Sequence, residues 1–179
     1  MLAKLNLRTI LKLGSNTQVR VLQDQVDMLQ AQVKALAYDP AYGCLTSSGL
    51  ALKWEELKGQ VSFLVYCDID YMHLANEQYT HKGVDAKIRT VIGSCRSTDA
   101  VAARIYSGDE LGFLIKEGDP VKLAERLQAL FLSMGLSATW AIVKVDSQVF
   151  SVALDKAIEM VEAAKKENWR GSINGGNHE

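Results

Sequence analysis

The stretch RIYSGDELGFLI, Arg104 to Ile115, constrains this chain more than any other. Val101, Ala103 and Ile105 alternate on one side of Ser107-Gly108-Asp109-Glu110, and Leu111, Phe113 and Ile115 alternate on the other. Two period-two runs around a Gly-containing tetrapeptide predict a β-hairpin. Its tip carries adjacent acids, which repel by roughly 4 kcal/mol at 4 Å near a protein surface. A turn needs one Asp at most. The tip is therefore either a solvated acidic turn or one side of a charged site.

The rest of the chain supplies a sheet for this hairpin. VSFLVYC (61–67) is a buried strand by its β-branched and aromatic content, and it ends at Asp68-Ile69-Asp70. VKLAERLQALFLSMG (121–135) is an amphipathic helix ending at Gly135, LSATWAIVKV (136–145) a strand, and SVALDKAIEMVEAAKKE (151–167) a helix. DPAYG is a turn, and CLTSSGLALKWEEL is read as a capped helix. A polar helical stretch runs to about Tyr79, and THKG breaks it before a helix from about Val84 to Cys95. The expected order, α-β-α-α-β-β-α-β-α, is that of an α+β sheet with helices on one or both faces.

The N-terminal part has a different texture. Residues 1–16 form a basic amphipathic segment, with Lys4, Arg8 and Lys12 on one helical face and no acid. Residues 1–14 are suited to peripheral contact with an anionic membrane surface or to packing against a partner. Ser15-x-x-Gln18 fits a capping box. Over 17–38, Val19, Leu22, Val26, Leu29, Val33 and Leu36 occupy a and d positions of three heptads. Val at a and Leu at d favour a parallel two-stranded coil, hence a homodimer; an amphipathic helix docked on its own domain is the other option. A domain is expected from 39 to 174 and a disordered tail at 175–179.

Composition excludes several classes. With 179 residues and a net charge of −1, the chain has no general polyanion-binding surface, and no nucleic-acid partner is expected. Cys44, Cys67 and Cys95 form no C-x-x-C pair and read as reduced thiols of a cytoplasmic protein. No apolar run is long enough to span a bilayer. If the two acid-bearing strands are neighbours, Asp68 and Asp70 converge with Asp109 and Glu110. Clustered carboxylates need a cation or shared protons, and Mg²⁺ is commonly held by one or two carboxylates plus substrate phosphates. Such a site suggests nucleotidyl transfer.

These residues resemble the GGDEF domain of diguanylate cyclases over about Asp39 to Arg170. SGDEL stands for GGDEF, and CDIDYMHLANEQYTHKGVD for D-I-D-x-F-K-x-I-N-D-x-x-G-H-x-x-G-D. DPAYGCLT stands for the family's D-x-L-T-G-L-x-N-R segment, and AIEMVEAAKKENWR for its last helix. The resemblance implies a ferredoxin-like palm with an antiparallel sheet and flanking helices. It implies condensation of two GTP into cyclic di-GMP across a dimer, with Mg²⁺ or Mn²⁺ as cofactor. It implies that Asp68, the Ile69 carbonyl and Asp109 ligate metal, and that Glu110 shares in metal binding or hydroxyl activation, making Asp109 and Glu110 the catalytic pair. Asn76 and Asp85 would read guanine, Ser107-Gly108 would admit the nucleotide to the backbone, and Lys165 would meet the phosphates. His81 would be structural.

Several positions depart from that pattern. Ser107 replaces Gly, Leu111 replaces Phe, Thr80 and Val84 replace two glycines of the long motif, Thr46 and Ser47 replace Asn-Arg, and Trp169 stands for the last Arg beside Arg170. His73 replaces a phosphate-side Lys and removes a fixed positive charge at neutral pH. Arg96-x-x-Asp99 resembles the family's product-inhibition motif. Seven residues separate it from Ser107, two more than in the family, which moves it by about 6.6 Å; no inhibitory site is expected there. Besides a cyclase, the sequence allows a GGDEF-like module that binds GTP or cyclic di-GMP without turnover, and a purely structural dimerisation protein.

Overall fold

A computed structural model describes residues 16–95, 100–106, 108–146 and 149–175. The basic segment through residue 15, Arg96, Asp99, Ser107 and the tail from 176 lie outside the described residues. The chain divides into two units, Met1–Leu36 and Ala37–Glu179.

In the first unit, helix α1 spans Asn16–Ala37. Its stripe is exposed: Leu22 is 59% accessible, Val26 45%, Leu29 56% and Val33 49%. Charged and amide residues fill the flanks, where Gln23 Nε2 donates to Asp27 Oδ1 at 2.8 Å.

The second unit is a seven-stranded sheet in the order β1-β2-β4-β5-β3-β6-β7. Its elements are β1 (Tyr38–Asp39), β2 (Cys44–Thr46), α2 (Ser47–Glu56), β3 (Phe63–Ile69), α3 (Met72–Ser94), β4 (Val101–Ile105), β5 (Glu110–Ile115), α4 (Pro120–Ser133), β6 (Ala138–Lys144), α5 (Phe150–Lys166) and β7 (Ile173–Asn174). The central β3-α3-β4-β5-α4-β6 unit is the ferredoxin-like arrangement, and all its strand pairs are antiparallel. The central strands form the expected antiparallel sheet, and short flanking strands extend it: β2 runs parallel to β4 and β7 parallel to β6. The reason lies in the connections. Helix α5 leads from β6 to β7, and a helical crossover joins parallel neighbours.

Side chains alternate into two cores. On one face α2 and α5 pack Leu50, Trp54, Leu154 and Val161 against Leu64, Tyr66 and Val143. On the other, α3 and α4 pack Val84, Ile88, Leu127 and Phe131 against Val65, Phe113 and Trp140. Local signals set the helix ends. Asp119 caps α4 by accepting from Val121 N and Lys122 N at 2.9 and 3.2 Å, with Pro120 behind it. Thr46 caps α2 by accepting from Gly49 N at 3.1 Å. The expected break at THKG is a kink at Thr80 (φ 64, ψ 158), after which the helix resumes at once. No helix among the described residues is long and apolar enough to cross a membrane.

Candidate functional site

The antiparallel pairing of β3 with β5 brings the acids to one end of the sheet. Asp68 is the direct cross-strand partner of Glu110, and Ile69 N–H donates to the Asp109 carbonyl at 2.9 Å. Glu110 is the first residue of β5, opposite Ile105, so the second acid belongs to the strand. Asp68, Asp109 and Glu110 therefore meet at the turn end of the hairpin. Burial pushes the Asp68 carboxyl above its usual range, the neighbouring Asp109 and Glu110 charges push the same way, and Lys165 opposes them. Tyr66, 1% exposed, donates its hydroxyl to Glu110 Oε1 at 2.7 Å and is itself driven upward by burial.

Lys165, on the last turn of α5, has Nζ 2.6 Å from Asp68 Oδ1 and 3.7 Å from Asp70 Oδ1. It pairs with Asp68 because α5 packs along the face of β3 that carries that side chain. Asp70 does not join that cluster. Its side chain, 1% exposed, accepts from Thr139 Oγ1 at 2.8 Å, Ser137 Oγ at 3.0 Å and Gly171 N at 3.0 Å, with Arg170 Nη1 at 3.6 Å. It ties the end of β3 to β6 and to the segment after α5. That segment turns at Asn168 (φ 61), where Asn tolerates the left-handed conformation.

Asn76 and Asp85, the two expected base readers, lie half-buried on α3 on either side of the Thr80 kink. Asp85 Oδ1 accepts the hydroxyl of Tyr42, from the turn between β1 and β2. Gly108, at the hairpin tip, has φ +105, and a Cβ there would stand 1.8 Å from Arg104 Nη2. Glycine is thus required both for its backbone and for the guanidinium beside it. His73 and His81 are exposed on α3.

The structure thus gathers Asp68, Ile69, Asp109, Glu110 and Lys165 into one corner. Sequence reasoning missed Tyr42, Tyr66, Arg104 and the anchoring role of Asp70. Only Asp70 carried a signal, through its place at the strand end beside Asp68. Among the described residues no three His, Cys, Asp or Glu side chains form a ready-made metal cage. The donors at the acid corner are all oxygens, the set a hard cation takes when substrate phosphates complete its shell.

No protein-family model and no curated protein matches the sequence. Solved structures match its fold. Diguanylate cyclase SiaD from Pseudomonas aeruginosa, in complex with its activator SiaC, is 19% identical, with 94% of this chain and 73% of that one covered and a TM-score of 0.66. The coiled coil and GGDEF domain of DgcB from Caulobacter crescentus, in complex with c-di-GMP, is 18% identical, with 89% and 96% covered and a TM-score of 0.63. The S helix-GGDEF-EAL portion of Vibrio cholerae LapD, bound to c-di-GMP, is 15% identical, with 88% and 42% covered and a TM-score of 0.63. The chain has the GGDEF-domain fold.

Proposed function

We propose that this chain is a diguanylate cyclase that condenses two GTP into cyclic di-GMP across a homodimer. The observation that carries the reading is the meeting of Asp68, Asp109 and Glu110 at one sheet end with Lys165 beside them. Asp68, the Ile69 carbonyl and Asp109 would hold Mg²⁺ or Mn²⁺, with Glu110 sharing in binding or in activating the hydroxyl. The bound metal would supply charge stabilisation at the transferring phosphate. Each ribose 3′-oxygen forms a bond to the α-phosphorus of the opposite GTP as the bond to pyrophosphate breaks, and two pyrophosphates leave. Lys165 is close enough to the acids to follow the phosphates once a metal takes over the charge of Asp68. Ser107-Gly108 would let the backbone approach the nucleotide.

Base choice falls to Asn76 and Asp85. Guanine offers N1–H and N2–H₂ donors on one edge, which a carboxylate accepts, whereas adenine N1 is an acceptor that a carboxylate repels. Pairing buried polar groups can separate such substrates by up to about 10⁴-fold.

A second reading, a module that binds GTP or cyclic di-GMP without turnover, is favoured by one observation. Asp68 and Asp85 both engage partners from the chain itself, Lys165 and Tyr42. Incubating the purified protein with GTP or ATP and Mg²⁺, with mass spectrometry of the products, separates the readings. Cyclic di-GMP from GTP alone supports the cyclase. Binding of GTP with no product supports the module, and equal turnover of ATP contradicts the role of Asp85.

A further inference from the structure

The β1–β2 turn, the second half of α3 and β4 meet in a corner where the cyclase chemistry assigns a role to Asp85 alone. Tyr42 is 7% exposed, and its hydroxyl is spent on Asp85. The Arg104 guanidinium lies over the Tyr42 ring, Cζ 4.0 Å from the centroid, and its Nη1 is 3.5 Å from Asp39 Oδ2. Asp39 also fixes the turn, accepting from Ala41 N through Oδ1 and from Gly43 N through its carbonyl, each at 2.9 Å. Arg89 Nη1 holds the Ala41 carbonyl from α3 at 3.2 Å. The ring is therefore stacked under the guanidinium and carried on an anchored turn, and the same guanidinium rests against Gly108 at the hairpin tip.

A carboxylate that reads guanine uses both oxygens, one for N1–H and one for N2–H₂. Here Oδ1 of Asp85 already accepts the Tyr42 hydroxyl, which fills one of its acceptor directions and draws on its charge. We propose that Tyr42 is a specificity-determining residue of the nucleotide site, its hydroxyl competing with the guanine edge for the Asp85 carboxylate. The inference rests on the reading of Asp85 as the base reader. A nucleotide either displaces the hydroxyl, against the Arg104 stack and the Asp39-anchored turn, or shares the carboxylate with it and meets a weaker acceptor. Adenine, which does not use the carboxylate, is indifferent to Tyr42. Tyr42 thus weakens the binding of guanine without affecting that of adenine. Burial and the Asp85 hydrogen bond push the Tyr42 hydroxyl up to about 12, so it stays a donor at any ordinary assay pH.

The test is calorimetric titration of the full chain, with Mg²⁺, using 3′-deoxy-GTP, which lacks the attacking hydroxyl, and 3′-deoxy-ATP as the control. Tyr42→Phe keeps the ring and its stack and removes only the competing O–H. It is expected to bind 3′-deoxy-GTP about tenfold tighter than wild type, the size of one hydrogen bond to a charged group, with 3′-deoxy-ATP unchanged. Tyr42→Leu removes the hydroxyl in a different apolar background and gives the same direction. Asp85→Asn separates the two levels of the argument. If Asp85→Asn weakens 3′-deoxy-GTP binding while both Tyr42 variants leave it unchanged or weaker, the inference is overturned and the base reader stands. If Asp85→Asn changes nothing, or no variant and no wild-type protein binds the analogue, the role of Asp85 fails and takes the inference with it.

Discussion

The ammonium group of Lys165 lies 2.6 Å from Asp68 Oδ1, so the carboxylate that faces the hairpin acids is neutralised by a cation of the chain itself. Both groups are partly buried, with side chains 17% and 27% exposed. Removing the lysine leaves Asp68 beside Asp109 and Glu110 without its counter-charge. Lys165→Met should destabilise the metal-free, nucleotide-free protein by about 1–3 kcal/mol in urea unfolding. Combined with Asp68→Asn, the loss should fall short of the sum of the two single losses by about 1 kcal/mol. Strict additivity would mean that the pair carries no interaction energy.

The acid corner is tested by turnover. Asp68→Ala and Asp109→Ala should each lower cyclic di-GMP formation about 10²-fold or more, and removal of divalent metal by chelation should abolish it. Wild-type rates in either variant, with circular dichroism intact, would reduce these acids to turn residues.

Thr80 stores strain. Its φ of 64 and ψ of 158 fall in a region that is essentially glycine-only and costs about 1–3 kcal/mol. Two terms offset relief by glycine: Thr80 Oγ1 accepts from Gly83 N at 3.3 Å, and glycine loses more backbone freedom, about 0.5–1 kcal/mol. Thr80→Gly should still raise stability by about 0.5 kcal/mol. Thr80→Ala loses the hydrogen bond, keeps the strain and should lower it. Thermal melts that rank Ala above Gly would contradict the strain.

Much of this fold was legible because its main strands are long and periodic. β3, β5 and β6 carry six or seven residues of apolar pattern, and the hairpin has both flanks and a Gly-containing turn. β1, β2 and β7 have two or three residues each, too few to show any period, and so the parallel flanks of the sheet went unread. The acids of the site were legible because strand ends and turns are where charged residues must have a reason. Tyr42 and Tyr66 were not. Their partners, Asp85 and Glu110, lie 43 and 44 residues away, and each tyrosine alone reads as ordinary core. Only the folded register reveals that the buried hydroxyls point at carboxylates.

The Tyr42 hydroxyl also gives the protein an alkaline limit. Its pKa rises from 10.0 to about 12, first through burial and then through the bond to Asp85. A proton held more tightly in the folded state stabilises it fully below pH 10, and that stability is lost as pH rises through about 12. The shift is worth at most about 3 kcal/mol. Tyr66 is also raised and contributes in the same direction, in wild type and variant alike. The stability difference between wild type and Tyr42→Phe, followed by urea unfolding from pH 8 to pH 12, should therefore move in favour of the variant as pH rises. Parallel curves would show that the hydroxyl is not held.

The last prediction concerns α1. In the proposed reaction, joining two GTP molecules would need two half-sites face to face, so one subunit could not complete it. Val19, Leu22, Val26, Leu29 and Val33 recur at heptad spacing on a helix that ends where the domain begins, and Leu22 and Leu29 are 59% and 56% exposed in the single chain. Under the proposed reaction such a stripe would serve as the seam for a second copy. Pairing it would tether two domains at an effective concentration in about the millimolar range. A coil of this length is only marginal by itself, so the domains or the first residues must add to its stability. Replacing Leu22 and Leu29 by Lys buries like charges in the seam. The variant should be monomeric at low micromolar concentration and make little cyclic di-GMP, yet still bind GTP once per subunit, because each half-site lies within one chain. Sedimentation and a product assay on the same sample read both properties. Full activity from a monomer would refute the two-half-site reaction, and an unchanged dimer would place the seam elsewhere.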